Sequence, residues 1–162
     1  MDKRTGKDDY YLGIADAVLN RSTCLRRKYG AIIVKADEIL STGYNGAPRG
    51  RKNCSDMGYC TREQLNIPSG QRYELCRSVH AEQNAIISCS RRDMLGSTLY
   101  LVGRDAKTGE IIPAASCSLC RRFILNAGIE KVVSRISEGE YEVIDASQWI
   151  ENDDSLPELT NL

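Results

Sequence analysis

Tyr29-Gly30-Ala31-Ile32-Ile33-Val34 is the stretch that decides the fold. Ala31 to Val34 form a continuous apolar run without alternation, which suits a strand buried on both faces. Such a strand needs helices on both sides of its sheet, and the flanking sequence offers them. On the N-terminal side, Asp8 to Arg21 carries Leu12, Ala15, Val18 and Leu19 at helical spacing. On the C-terminal side, Ala36-Asp37 allows a tight turn, and Glu38 to Tyr44 returns as a second strand. Residues 80–92 then read as a helix with Ala81, Ala85, Ile86 and Cys89 on one face. Thr98 to Val102 reads as a strand, and Cys117 to Asn126 as a helix stopped by Ala127-Gly128. Lys131 to Ser134 and Glu142 to Ile144 read as short strands, and Ala146 to Asn152 as a closing helix. The order predicts an α/β fold with a mixed central sheet and helices on both faces. No internal linker or repeat divides the chain, so residues 1–162 are expected to form one domain, with 153–162 as a loose tail.

Three segments do not fit regular elements. Gly43 to Gly50 holds three Gly and a Pro in eight residues and reads as a loop. Arg51 to Val79 is long and polar, with no strong periodicity. A loop of that length is uncommon in a compact domain unless it has a function or an anchor. Gly103 to Ser116 is a second polar loop.

Composition narrows the function. Apolar residues make up 41% and charged residues 27% of the 162 residues, as in ordinary soluble globular proteins. Lys plus Arg and Asp plus Glu number 22 each. A net charge of zero argues against a strongly basic nucleic-acid binder. No run approaches the roughly 18 apolar residues of a membrane span, and Met1 to Asp9 has no apolar signal segment, so the expected location is the cytoplasm. Thiols stay reduced there, and the seven Cys are an odd number. Metal binding is therefore the favoured use of these thiols. The chain has one His, so any histidine chemistry passes through His80.

His80-Ala81-Glu82 and Cys117-Ser118-Leu119-Cys120 each open a predicted helix. Cys117 and Cys120 share a helix face, and a helix N-terminus favours the thiolate. With His80 they make three ligands for one zinc and leave a fourth position open, the arrangement of a catalytic site. Two thiolates cancel the charge of the ion, so a nearby base matters more. Glu82, in the first turn beside the His ligand, can take a proton from water and give it to a leaving group. Each half of the pattern alone is weak; together they match the zinc-deaminase signature.

On these residues the chain resembles the cytidine and deoxycytidylate deaminase superfamily, from about Asp8 to Ile144. His80-Ala81-Glu82-Gln83-Asn84-Ala85, the Cys117/Cys120 pair and Leu125-Asn126-Ala127-Gly128-Ile129 carry the likeness. It implies the three-layer α/β/α deaminase fold and attack by zinc-activated water at C4 of a pyrimidine. Gly43-Tyr44-Asn45-Gly46-Ala47-Pro48-Arg49-Gly50 and Arg21-Ser22-Thr23-Cys24 look most like the deoxycytidylate branch. That branch implies dCMP as substrate, activation by dCTP, inhibition by dTTP, and a homo-oligomer. Asn45, Ala81 and Arg49 are the candidate substrate contacts, Arg49 by gripping a phosphate. Arg26-Arg27-Lys28 reads as an exposed run. The chain departs from the family pattern at Ser116, where Pro is usual, and in the longer segment 103–116.

Cys24, Cys54, Cys60 and Cys76 remain, while Cys89 reads as core. The resemblance implies a second, structural zinc on the positions of Cys24 and Cys54. A four-thiolate site would be closed and would anchor the long polar segment. A nucleoside, free-base or RNA-base deaminase and a non-enzymatic zinc module remain as alternatives. Glu82 speaks against the module, because a structural site does not require it.

Overall fold

The computed structural model describes residues 3–153. The tail expected from Asp153 onward therefore lies outside the described residues beyond its first position. Helix α1 (Lys7–Leu19) leads into β1 (Arg27–Lys35) and β2 (Glu38–Tyr44). Ala36 and Asp37 make the turn between them with φ of 50° and 62°. Two left-handed residues in succession match the twist of a two-residue hairpin.

Three short pieces follow: α2 (Cys54–Met57), α3 (Thr61–Gln64) and a 3₁₀ turn (Tyr73–Leu75). Next come α4 (Ala81–Ile87), α5 (Arg91–Met94), β3 (Thr98–Asp105), β4 (Ile111–Ile112) and α6 (Ser118–Ala127). β5 (Lys131–Ser137), β6 (Glu140–Asp145) and α7 (Gln148–Glu151) complete the order. The sheet runs β2-β1-β3-β5-β6, with β4 pairing on β3. β3 and β5 are parallel, joined through α6, and the other pairs are antiparallel. The mixed sheet inferred from the element order is thus present.

The apolar run of β1 divides by parity, as a strand covered on both sides must. Ala31 and Ile33 join Leu99, Leu101, Val132, Ala81, Ala85 and Ile124 in the core under α4 and α6. Ile32 and Val34 join Tyr100, Val102, Val133, Leu12, Ala15 and Leu19 in the core under α1. The result is three layers, α/β/α. Two approaches are tight enough to require glycine. A Cβ on Gly30 would lie 2.1 Å from the Ala15 carbonyl oxygen of α1. One on Gly43 would lie 2.3 Å from the Ala81 carbonyl oxygen and 2.4 Å from the Ala85 nitrogen of α4. Both helices therefore seat backbone against backbone on the β1–β2 pair.

The helix expected over 80–92 is two helices. α4 ends at Ile87, and Ser90 caps α5 by accepting from the Asp93 N–H at 3.3 Å. A serine that offers its oxygen to a new first turn competes with continuation of the old helix. The polar stretch 103–116 also contains more order than its composition suggests. Gly103 and Arg104 pair with Ile112 and Ile111, extending β3 as a hairpin. Among the described residues, no helix is long and apolar enough to cross a membrane.

Candidate active site and metal centre

Two helix starts meet at one place beside the sheet. α4 begins at His80, whose backbone N–H donates to Gln83 Oε1 at 2.9 Å. Just upstream, Val79 and Gly46 exchange two backbone hydrogen bonds, of 2.8 and 3.2 Å. The glycine-rich loop is thereby tied to the residue before the histidine. Asn84 Nδ2 donates to the Tyr44 carbonyl at 2.7 Å, and Ser41 Oγ donates to the Ala85 carbonyl at 2.7 Å. These bonds, with the Gly43 contact, fix α4 on β2. α6 begins at Cys117, whose sulfur accepts from the Cys120 N–H at 3.4 Å.

His80 Nδ1 lies 3.2 Å from Cys120 Sγ and 3.6 Å from Cys117 Sγ. The ligand atoms of these three residues all lie within 4.8 Å of one another, close enough to hold one metal ion. Their electrostatics fit a soft divalent cation. Hydrogen bonding from Cys120 and His80 holds the Cys117 thiol down, at about 4. The neighbouring Cys117 sulfur, with burial, pushes the Cys120 thiol far up. Burial works against the charged form of His80, but the hydrogen bond and charge of Cys117 outweigh it and raise its pKa. Two thiolates this close repel unless a cation lies between them, and an imidazole with two sulfurs is a donor set that zinc favours.

Glu82 is 5% exposed, on the first turn of α4. It lines the same cavity as His80, Ala81 and Cys117. Burial pushes its carboxyl above the ordinary range. A carboxyl that takes up protons readily, in a cavity beside a metal centre, suits a proton carrier.

The other expected contacts divide. Ala81 is fully buried in the cavity wall. Asn45 also lines the cavity, yet its side chain is engaged as a brace. Its Oδ1 accepts from Ser22 Oγ at 2.6 Å and from the Tyr29 N–H at 2.8 Å, and its Nδ2 donates to the Arg27 carbonyl at 2.9 Å. Arg49 is exposed, follows the turn at Pro48, and does not line the cavity. The cations that do line it are Arg26, Arg27 and Arg62. The first two were expected only to face solvent. Arg62 and Tyr73 were not singled out in the sequence at all, because segment 51–79 has no periodicity from which burial could be read.

Cys24, Cys54, Cys60 and Cys76 line a second, smaller cavity against the first. Cys24, Cys60 and Cys76 belong to the walls of both. The four thiols share one place in the fold, but their sulfurs do not form a cluster as tight as that of His80, Cys117 and Cys120. Cys89 packs partly buried against the core under α4 and α6, as read from the sequence.

The model of the cytidine and deoxycytidylate deaminase zinc-binding region matches residues 5–136. A deoxycytidylate deaminase of Mycobacterium phage D29 is 40% identical over 131 residues, covering 78% of this chain and 91% of that protein. A deoxycytidylate deaminase of Schizosaccharomyces pombe is 31% identical over 134 residues. This chain spans only 38% of the yeast protein's length. The crystal structure of dCMP deaminase from cyanophage S-TIM5 in complex with dCMP and dUMP superposes with a TM-score of 0.56 at 27% identity, covering 81% of this chain and 82% of that one. A cytidine deaminase from Burkholderia pseudomallei, 18% identical with a TM-score of 0.56 over 86% of this chain and 93% of that one, shares the fold.

Proposed function

The chain belongs to the cytidine and deoxycytidylate deaminase family, and on that premise we propose that it hydrolyses dCMP to dUMP and ammonia. The observation that carries this reading is that buried Glu82 shares one cavity with His80 and Cys117, whose donor atoms cluster with that of Cys120. The three donors would hold zinc, which when bound supplies the Lewis acidity that activates a water. Ala81 and the neighbouring wall exclude bulk solvent from the reacting carbon. Glu82 takes a proton from the attacking water and passes it to the amine nitrogen at C4. The C4–O bond forms, the C4–N bond breaks, and ammonia leaves. The test is ammonia release from dCMP, CMP, deoxycytidine and cytosine side by side, each with and without dCTP or dTTP. Turnover of dCMP above the other three is expected. Release from cytosine or deoxycytidine alone would defeat the nucleotide reading.

Two further features belong to this proposal. The Cys24, Cys54, Cys60 and Cys76 thiols are taken as ligands of a second, structural zinc. Their common cavity supports this, and elemental analysis should return close to two zinc per chain. Homo-oligomeric assembly is supported by Ile87 on α4 and Phe123 on α6, large apolar side chains that are 66% and 42% exposed. A monomeric mass in solution would count against it.

A further inference from the structure

Arg62 is 7% exposed on the short helix α3. Its hydrogen bonds run from Nη2 to two backbone carbonyls, those of Pro68 at 2.9 Å and Gln71 at 2.8 Å. Its Nε is buried without a partner. Among the described residues no carboxylate pairs with it. The adjacent Glu63 is taken by Arg26 at 3.1 Å. A buried cation with no counter-charge is costly, and an anion reaching it would offset that cost.

The position of Arg62 says where that anion sits. Its guanidinium lies over the Tyr73 ring, 4.9 Å from the ring centre. Tyr73 in turn meets the His80 imidazole edge-on at 5.0 Å. All three line the same cavity. Arg62 is therefore linked to His80 of the metal centre by two ring contacts along one cavity wall. The other cations of the wall are poorer candidates. Arg26 is already paired, and Arg27 is exposed to solvent, where its charge is screened.

We propose that Arg62 recognises the 5′-phosphate of the substrate and so sets the preference for a nucleotide over a nucleoside. This rests on the dCMP reading above. The Arg fork, held by two carbonyls and a stacked ring, is preorganised for a phosphate.

The test compares kcat/KM for dCMP and deoxycytidine in the zinc-loaded wild type, Arg62→Gln and Arg62→Lys. The Gln side chain keeps a donor for the two carbonyls and removes the charge; Lys keeps the charge. Arg62→Gln should lower the dCMP-to-deoxycytidine ratio by about 10–100-fold, mostly through KM, as expected for loss of a charge-assisted hydrogen bond. Arg62→Lys should keep most of the preference. Equal losses on both substrates in Arg62→Gln would make Arg62 a structural prop and overturn the proposal. So would a folded Arg62→Lys that has lost the preference, a comparison that stands alone should the Gln variant not fold. A wild type indifferent to the phosphate would remove the nucleotide reading itself. A wild type that prefers dCMP together with an unchanged ratio in both variants would remove Arg62 alone.

Discussion

At the scale of the residue, Glu82→Gln keeps the shape of the side chain and removes its ability to carry a proton. Turnover should fall by about 10²–10⁴-fold with zinc content and melting temperature intact, the usual effect of deleting a general acid–base group. Near wild-type turnover would end the assignment. Cys117→Ala should instead lose activity together with one zinc per chain, read by elemental analysis, because two remaining ligands hold the ion weakly. The proximity of His80, Cys117 and Cys120, with Glu82 on the same helix start, was legible because local spacing reports geometry. Three positions along a helix put Cys117 and Cys120 on one face, and two positions put Glu82 beside His80. The contacts of the substrate cavity were less legible. Asn45 was expected as a ligand contact, and its three hydrogen bonds show it also bracing the loop against β1. Arg49 and Arg62 look alike in the sequence, yet one is exposed and the other buried. What separates them is how α3 folds back over the site, a long-range event that no local pattern encodes.

At the scale of the element, the placement of α4 on β2 decides whether the site exists. Gly43→Ala puts a methyl group against backbone atoms of Ala81 and Ala85, neither of which can swing aside. Forcing extra volume into such a contact typically costs about 1–3 kcal/mol. The expected outcome is a lower melting temperature together with reduced zinc content, since the shift moves His80 and Glu82 relative to Cys117. A variant with unchanged melting and full zinc would show that α4 can retreat without disturbing the centre. The core strands and α1 followed from periodicity, because each is long enough to show its burial pattern. The one-turn helices α2 and α3 and the 3₁₀ turn did not, since a single turn leaves no period to read. The break at Ser88 to Ser90 was missed for a related reason. Helical spacing runs on through Cys89, and only the side-chain bond from Ser90 to the next turn reveals the interruption.

At the scale of the whole molecule, the sheet with α1 on one face and α4 and α6 on the other contains both hydrophobic clusters. Among the described residues, none from 51–79 belongs to either. That segment is held by polar links. Ser55 N–H donates to the Thr23 carbonyl at 3.2 Å, Val79 and Gly46 exchange two backbone hydrogen bonds, and Arg26 pairs with Glu63. Bonds of this kind contribute little when solvent competes for them. A second zinc on Cys24, Cys54, Cys60 and Cys76 would join the segment to the start of β1 and supply the stability that apolar burial does not. Removal of zinc by a strong chelator should then act in two places and spare a third. Amides of residues 54–76 should exchange hydrogen much faster, and activity should vanish as the His80 centre empties. Amides of β1 and β3, protected by two layers of packing, should keep their rates. Cys60→Ser separates the two sites, since it should loosen residues 54–76 while the His80 centre keeps its zinc. Unchanged exchange over residues 54–76, both on chelation and in Cys60→Ser, would remove the structural zinc and leave the polar links as the anchor.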